Sequence, residues 1–218
     1  MKYIYKAKNR PSRDLVEKIT KFSSATLHEA YDKRGSLPSV IKPIDQHLEL
    51  TGSVVTIELR PGDNLMLHKA IYEAQKGDIL VVDAKGFTEA GIWGDIMTCA
   101  AMERGINGLV VYGSVRDKKE IIKSGFPVFS SGICIRGTIK AGPGFINKRI
   151  AIADIVIEPG DVIRGDIDGV VVIKYSDLEA VIERAEAIVS KEEMVKKKLK
   201  EGLSTLEIYK FDALSKYE

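Results

Sequence analysis

Cysteine is scarce in this chain of 218 residues, which has only two. Cys99 and Cys134 do not form a C-x-x-C pair, so the sequence indicates no structural zinc site. Unpaired cysteines without a disulfide framework are typical of a reducing compartment. The N-terminus lacks the apolar core of a signal peptide, and no stretch approaches the length of a transmembrane helix. We therefore expect a cytoplasmic protein.

An excess of one charge is also missing, because 33 lysines and arginines offset 31 aspartates and glutamates to leave a net charge of +2. The sequence therefore offers no electrostatic case for binding nucleic acid or a membrane. Histidine is rare too, and His28, His47 and His68 do not stand at metal-binding spacings. We expect one domain over residues 1–218, with a core at about 23–175 and a C-terminal helix at about 176–202.

Apolar periodicity predicts helices and strands of mixed order, which is typical of a layered α/β fold. Two capping boxes support helix starts, at Thr26 with Glu29 and at Ser176 with Glu179. The glycine-rich stretch 136–147 lacks a nucleotide-binding fingerprint, and we interpret it as a turn or a subunit-contact loop. The predicted helices are 12–22, 25–34, 65–75, 94–104 and 176–200; the predicted strands are 50–59, 79–82, 108–112, 127–130, 151–157 and 170–173, with tight turns at 159–161 and 164–169.

The stretch 93–121 has the most informative order of elements in the chain. Gly94-Asp95 opens a predicted helix, which Gly105 ends. A short apolar run then predicts a buried strand, and the opposite charges Arg116 and Asp117 follow at its carboxyl end. Ligands of α/β proteins bind where strand ends and helix N-termini converge. The sequence therefore predicts a binding site at this point.

The residue types at this point suit a small anionic ligand. Asp117 offers a hard oxygen for Mg²⁺ or Mn²⁺, which often take only one or two protein carboxylates and keep several waters. Arg116 offers a planar fork of donors for a carboxylate or an enolate oxygen. Free amides at Gly94, Asp95 and Ile96 would hold an anion, so the three features together describe binding of a 2-oxo acid. The alternative, which the dipeptide alone favours, is a solvated Arg-Asp pair that caps the next helix.

The same residues resemble a known family. The chain is similar to the regulator of ribonuclease activity A (RraA) and to its enzymatic relatives, the class II 4-hydroxy-4-methyl-2-oxoglutarate (4-carboxy-4-hydroxy-2-oxoadipate) aldolases. The resemblance spans roughly residues 23–202 in matching order. It comprises Trp93-Gly94-Asp95, Gly105, Gly113 to Asp117 and Glu120-Ile121, together with Pro61 to Leu65, His68 to Ile71, Gly77 to Asp83, Pro127 to Phe129, Pro159 to Asp161 and Gly165 to Val171.

This resemblance implies a three-layer β/β/α swivelling-domain-like fold with flanking N- and C-terminal helices. It implies a homotrimer or a dimer of trimers, with active sites between subunits. The implied activity is metal-dependent cleavage of a branched 4-hydroxy-2-oxo acid to pyruvate, with oxaloacetate decarboxylation as a side activity. No lysine is needed as a Schiff base. The helix start that contains Asn64 and His68 would border the active-site cleft.

The resemblance also implies roles for individual residues. Asp117 would bind Mg²⁺, Mn²⁺ or another divalent metal, and Arg116 would stabilise the pyruvate enolate with it. The backbone amides of Gly94, Asp95, Ile96 and Met97 would hold the pyruvyl group. A water oriented by Asp95 or by a neighbouring subunit's glutamate would act as the base. The catalytic candidate for that glutamate is Glu193. Glu192 and Glu120 would instead contact the residues that bind the ligand, and not the ligand itself.

A regulator that binds a ribonuclease is the alternative function, because the family's namesake is one. The aldolases have an acidic residue three positions after the aspartate, and Glu120 occupies that position here. Glu120 also suits the first turn of a helix, where the dipole favours a negative charge. The presence of Glu120 nevertheless favours an enzyme over a regulator. Methyl transfer is discounted, because no glycine-rich S-adenosylmethionine loop follows a first strand. The sequence does not identify the groups that would recognise a distal carboxylate of the substrate.

Overall fold

The computed structural model describes residues 2–142 and 144–211. Its helices are α1 (Arg13–Thr20), α2 (Ser24–Ala30), α3 (Leu65–Glu73), α4 (Asp95–Glu103), α5 (Lys118–Ser124), α6 (Leu178–Lys200) and α7 (Thr205–Tyr209). Its strands are β1 (Lys42–Pro43), β2 (Leu50–Glu58), β3 (Asp78–Asp83), β4 (Gly108–Val115), β5 (Val128–Ile133), β6 (Phe145–Ile146), β7 (Ile150–Ile152), β8 (Ile155–Ile157), β9 (Val162–Gly165) and β10 (Val170–Ile173). Within this described part of the chain, no helix is long and apolar enough to cross a membrane.

Four parallel strands form the centre of the sheet, in the order β5-β4-β3-β2. Helices α3, α4 and α5 connect them in turn and bury their apolar side chains against one face. Strands covered on both faces have continuous apolar sequences, which is why the runs at 79–82 and 108–112 predict strands correctly. For the same reason β2 does not alternate as its sequence suggests, because residues 50–57 are all buried.

The opposite face of the sheet is covered by a hairpin of β7 and β8. Ile152 and Ile157 belong there to one apolar cluster with Val81 of the central sheet. The sequence predicts a single strand over 151–157, and this prediction is wrong. Ala153 adopts a left-handed conformation (φ 52°), which turns the chain back and lets both halves of the run cover the sheet.

The sheet continues from β2 into the antiparallel strands β9 and β10 and curls until it is nearly a barrel. Gly165 in β9 approaches Phe129 in β5, although three strands separate them in the sheet. A β-carbon at Gly165 would lie 3.0 Å from the Phe129 ring, so the close approach favours glycine. Helices α1, α2 and α6 pack on the outside of β9 and β10. The predicted three-layer β/β/α fold with flanking terminal helices is confirmed.

Helix α2 does not begin with the predicted capping box. Ser23 is its cap, because the Ser23 hydroxyl accepts a hydrogen bond from the Thr26 amide. Thr26 therefore lies inside the helix. The helix ends at Ala30 rather than at residue 34, because Asp32 and Lys33 adopt left-handed conformations.

Helix α6 also begins without the predicted capping box. The Ser176 hydroxyl donates to Asp177 Oδ1 at 2.9 Å instead of capping the helix. The other oxygen of Asp177 accepts a hydrogen bond from the Tyr31 hydroxyl at 2.8 Å. Burial and this hydrogen bond raise the pKa of Tyr31 to about 12. The pair therefore stays a hydroxyl and a carboxylate, and it ties the end of α2 to the start of α6.

Asp166 links the sheet to the other end of α2. The predicted turn at 164–169 is shorter than expected, because Arg164 and Gly165 belong to β9. The Asp166 carboxylate accepts hydrogen bonds from the amide and the hydroxyl of Ser24, both at 2.6 Å. Burial alone would raise the pKa of Asp166, but these hydrogen bonds outweigh burial and lower the pKa. Ionised Asp166 therefore stabilises the start of α2.

Asp166→Asn should lower the free energy of unfolding at neutral pH by about 1.5–3 kcal/mol, because hydrogen bonds to a charged group are weakened. The folded pKa is depressed, so this stabilisation is fully present above the unfolded pKa of about 4 and is lost as the pH falls through the folded value. Urea unfolding of both proteins from neutral pH to about pH 3 measures the difference. Asp154→Asn, in the exposed β7–β8 turn, is the control. A difference that does not change with pH would contradict this role of Asp166.

Candidate active site

The segment that precedes α4 lies beside the end of β4. The Ile92 amide donates to the Ser114 carbonyl at 3.0 Å, and the Arg116 amide donates to the Trp93 carbonyl at 2.8 Å. The segment therefore extends the sheet by a few residues without being a full strand. As a result the start of α4 and the dipeptide Arg116-Asp117 are adjacent, as the sequence predicts.

The residues Gly94, Arg116 and Asp117 form a corner, which Trp93 fixes from inside the protein. Its side chain is fully buried and stacks on Phe126 with ring centroids 6.1 Å apart. Its indole N–H donates to the Thr98 hydroxyl at 2.7 Å, and that hydroxyl donates to the Gly94 carbonyl at 3.0 Å. The first turn of α4 is therefore held by a buried network and by helix packing, which makes its N-terminus a rigid element of the site.

The side chain of Asp117 does not cap the helix that follows it, although Asp117 stands at the start of that helix. The residue adopts a left-handed conformation (φ 56°), and its side chain makes no cap hydrogen bond to α5. Its Oδ2 instead accepts a hydrogen bond from the Asp95 amide at 3.2 Å, 22 residues away, and lies 3.4 Å from Arg116 Nε. The interpretation as a pair that caps its own helix is therefore wrong. Left-handed non-glycine residues are uncommon and often occur at functional sites.

Two glycines leave the space that this arrangement needs. A β-carbon at Gly94 would collide with Asp117 Oδ2 and lie 3.2 Å from Arg116 Nε. A β-carbon at Gly91 would collide with the Cys134 carbonyl and lie 2.8 Å from Arg116 Cβ. Any side chain at these two positions would therefore displace the charged dipeptide. The sequence identifies Gly94 as a helix start, but it does not show this steric reason.

The first amides of α4 are only partly free. The Asp95 amide donates to Asp117 Oδ2, and the Ile96 amide donates to Asp95 Oδ1 at 2.8 Å. The expectation of free amides at both residues is therefore not met. Within residues 2–142 and 144–211, the amides of Gly94 and Met97 have no hydrogen-bond acceptor. These two remain available to an anionic ligand, and both residues line the adjacent cavity.

A cavity of about 270 Å³ opens next to this corner. It is bounded by the start of α3, the segment 91–97, the Arg116 side chain and the loop 137–140. Its volume lies slightly below the range of about 300–1,000 Å³ that is usual for sites of drug-sized ligands. The cavity therefore suits a small metabolite rather than a nucleotide.

Asn64 and His68 contribute the wall formed by α3. Asn64 does not cap α3; its side-chain amide donates to the Ile92 carbonyl at 3.0 Å and so ties α3 to the segment before α4. The Asn64 Oδ1 atom is buried without a hydrogen-bond partner among the described residues. Burial lowers the pKa of His68, and the positive charge of Lys140 lowers it further. His68 is therefore neutral at pH 7.

The loop 137–140 is a part of the site that sequence reasoning missed. From the sequence we interpret 136–147 as a turn or a subunit-contact loop. In the structure, Thr138 and Lys140 of this stretch line the cavity. Asp63 holds this loop, because its Oδ2 accepts hydrogen bonds from the Ala141 amide at 2.9 Å and the Gly142 amide at 2.5 Å. The only sequence signal was a lysine within a glycine-rich loop, which is too common to identify a site.

The three glutamates proposed from the sequence do not line the cavity. Glu120 lies in the first turn of α5, three residues after Asp117, and its carboxylate is 3.8 Å from the Lys123 ammonium. Glu192 and Glu193 lie on the exposed second half of α6. The fold of one chain therefore does not bring these two into the site, and a role in a neighbouring subunit's site stays a prediction.

The donor set at Asp117 suits one class of metal. Among the described residues, no group of three or more histidine, cysteine, aspartate or glutamate side chains could hold an ion together. The Asp117 side chain is one-third exposed (33%) and faces the space left open at Gly94. A single reachable carboxylate fits Mg²⁺ or Mn²⁺, which keep most of their coordinated waters.

Comparisons with known proteins show which proteins the chain is similar to. The model of the RraA-like family, described as Aldolase/RraA, matches residues 24–172. A protein of Halalkalibacterium halodurans, provisionally named a 4-hydroxy-4-methyl-2-oxoglutarate aldolase, is 34% identical over 196 residues, which is 90% of this chain and 93% of that protein.

Solved structures agree with the fold. An uncharacterised protein from Pseudomonas syringae superposes with a TM-score of 0.81 at 26% identity, over 93% of this chain and 100% of the other. RraAS2 of Streptomyces coelicolor, described as an unusual member of the RNase ES inhibitor RraA protein family, superposes with a TM-score of 0.77 at 27% identity, over 87% of this chain and 100% of the other. The same fold therefore occurs in proteins with differently described functions.

Asp63→Asn should loosen the end of the loop at Ala141 and Gly142. Burial alone would raise the pKa of Asp63, but hydrogen bonds from the Leu65, Ala141 and Gly142 amides outweigh burial and lower it. The substitution removes that charge, so the Ala141 and Gly142 amides should exchange with solvent deuterium about 10- to 100-fold faster. Amide exchange followed by NMR measures this rate. Asp45→Asn, where the carboxylate accepts only the His47 amide in a turn, is the control. Unchanged exchange would show that Asp63 does not hold the loop.

Proposed function

The chain belongs to the RraA-like (Aldolase/RraA) family, and we propose that it is a divalent-metal-dependent aldolase that releases pyruvate from a 4-hydroxy-2-oxo acid of the 4-hydroxy-4-methyl-2-oxoglutarate type. One observation supports this proposal most. The Asp117 carboxylate is held at the N-terminus of α4, beside Arg116, and although Asp117 itself does not line the small cavity, Arg116, Gly94 and Asp95 next to it do. A metal-binding carboxylate, a fork of donors and free helix amides are what recognition of a 2-oxo acid requires.

Asp117 would hold Mg²⁺ or Mn²⁺. The bound metal would act as a Lewis acid on the 2-oxo group and the carboxylate next to it. The Asp117 carboxylate is fixed for this task by the Asp95 amide, which leaves its other oxygen available. No resident lysine is required, because an enolate can form without a Schiff base.

Arg116 and the free amides would position the substrate. The amides of Gly94 and Met97 would hold the pyruvyl carboxylate, and the Arg116 guanidinium would face the 2-oxo group, where negative charge develops. Trp93 keeps this end of the site rigid, because its buried ring fills the corner behind Gly94. Fixed donors of this kind act on the transition state without reorganising.

Cleavage would break the bond between C3 and C4 of the substrate. The C4 hydroxyl loses its proton and becomes a carbonyl, while the bonding electrons move to C3 and form the pyruvate enolate. Protonation of C3 then gives pyruvate. Asp95 would hold the water that accepts the hydroxyl proton, because its side chain lies at the cavity edge. Glu193, or Glu192, of a neighbouring copy in a homotrimer would hold the same water.

Regulation of a ribonuclease is the second candidate function. The S. coelicolor structure, which is described as belonging to the RNase ES inhibitor RraA family, supports it at the level of the fold. Glu120, three residues after Asp117 in the first turn of α5, supports the enzyme instead. Ribonuclease binding without metal-dependent turnover would favour the regulator.

Pyruvate release from 4-hydroxy-4-methyl-2-oxoglutarate and from oxaloacetate tests the proposed activity. Turnover should require Mg²⁺ and stop with EDTA. Asp117→Asn and Arg116→Lys should each lower kcat/KM by about 100- to 1,000-fold, because each removes a fixed group that stabilises developing charge. A lactate dehydrogenase-coupled assay measures pyruvate.

Arg149→Lys is the matched control, since Arg149 is exposed and, among the described residues, pairs only with Glu158 at 3.7 Å. It should leave turnover unchanged. Turnover in EDTA, or covalent trapping of the protein with substrate and borohydride, would contradict the metal-dependent mechanism.

Gly94→Ala should abolish most of this activity while the protein stays folded. The new methyl group would push the Asp117 carboxylate away from the Asp95 amide, so we expect a loss of about 100-fold or more in kcat. Gly137→Ala is the matched control, because a β-carbon at Gly137 has no neighbour within 4 Å in the described part of the chain, although the residue lines the same cavity. Circular dichroism checks folding. Equal activities of the two variants would show that the Gly94 space is not needed.

A further inference from the structure

A second cavity, of about 570 Å³, lies at the other end of the central strands. Gly77 and Asn107 line this second cavity, and they directly precede β3 and β4. Arg116 and Asp117, by contrast, directly follow β4, and the eight residues of that strand span about 25 Å. A ligand in the second cavity would therefore be separate from one in the candidate active site.

The lining of the second cavity is mostly polar. Strand β2 contributes Thr51 and Ser53, which lie on one face of the strand and are buried although they carry hydroxyl groups. The other hydroxyl and amide side chains of the lining are those of Thr20, Gln75 and Asn107. Such a lining suits a ligand with hydroxyl or charged groups rather than an acyl chain or an aromatic ring.

Arg13 and Lys76 give the second cavity two positive charges. Within residues 2–142 and 144–211, neither side chain makes an ion pair or a hydrogen bond to the protein. Arg10 also lines the cavity, but its guanidinium pairs with the buried carboxylate of Asp78 at 2.7 Å. Arg13 and Lys76 are therefore the cations that remain available to an anionic ligand.

The Thr51 hydroxyl is a further group that a ligand could satisfy. Its oxygen is buried and has no hydrogen-bond partner among the residues that the structure describes. Most buried polar atoms of folded proteins have a partner, so each exception needs a reason. A negatively charged oxygen that lies over β2 would accept the Thr51 proton.

We propose that the second cavity binds a hydroxyl-bearing organic anion with at least two negative charges, of the class of the sugar phosphates and the hydroxylated polycarboxylates. Arg13 and Lys76 bind its charged oxygens, and Thr51 donates a hydrogen bond to one of them. The ligand's hydroxyl groups pair with the polar side chains around them. The cavity volume lies within the range of about 300–1,000 Å³ that is usual for small-molecule sites. This inference does not depend on the proposed aldolase function.

Binding of glucose 6-phosphate and of citrate to the full chain, measured by isothermal titration calorimetry in EDTA, tests this site. Arg13→Gln and Lys76→Gln should each weaken binding by about 10- to 100-fold, because hydrogen bonds to a charged group are lost. Glu17→Gln should strengthen binding by up to about fivefold, because Glu17 is the carboxylate in the described lining and its charge opposes an anion. Arg149→Gln makes the same charge change at an exposed position outside the cavity and is the matched control.

Arg116→Gln separates this site from the candidate active site and should leave the affinity unchanged. Binding of either anion with this pattern of variants supports the proposal, and a preference for one anion identifies the charged group that the site takes. No binding of either anion, equal binding of uncharged glucose, or a loss confined to Arg116→Gln would overturn it. Circular dichroism checks folding, and Lys76→Gln with Glu17→Gln decides the question if Arg13→Gln does not fold.

Discussion

The hydrogen bond from the Asp95 amide to the Asp117 carboxylate joins the start of α4 to the end of β4, and the candidate site depends on it. It requires a left-handed backbone at Asp117, a conformation that costs about 1–3 kcal/mol. It also requires that Gly94 has no side chain. Buried Trp93 holds the same corner from behind and offsets part of that strain through its packing and hydrogen bond. The result is a fixed carboxylate next to a guanidinium, with two helix amides left free.

The same interaction, a carboxylate that accepts the first amide of a helix, occurs at two other helices. The first amide of α2 donates to Asp166, and the first amide of α3 donates to Asp63. The first amides of a helix have no partner within it and carry a partial positive charge, so a carboxylate from elsewhere in the chain can join them to the sheet or to a loop. Through this interaction Asp166 fixes helix α2 and Asp117 forms part of the candidate site. Asp63 accepts hydrogen bonds from the start of α3 and also from the loop that ends at Gly142. One electrostatic interaction therefore serves both stability and chemistry.

The parts of the site that are local in the chain were predictable from sequence. Gly105 past the end of α4 and the apolar run of β4 are signals within one element, so the position of Arg116-Asp117 at a strand end follows from them. The loop with Lys140 was not predictable, because it depends on hydrogen bonds from Ala141 and Gly142 to Asp63 across 78 and 79 residues. The turn at 153–154 was missed for a different reason, since the apolar run around it has the pattern of one strand.

Local contacts and distant contacts form different parts of the candidate site. The corner at Gly94, Arg116 and Asp117 is built from short stretches of chain, and its donors suit a small anionic group. The wall with His68 and Lys140 is held by a carboxylate outside that corner, at Asp63. Changes in the loop can therefore alter that wall of the cavity without disturbing the corner. Function depends on the residues of the site rather than on the fold alone, so one fold can carry sites of different kinds.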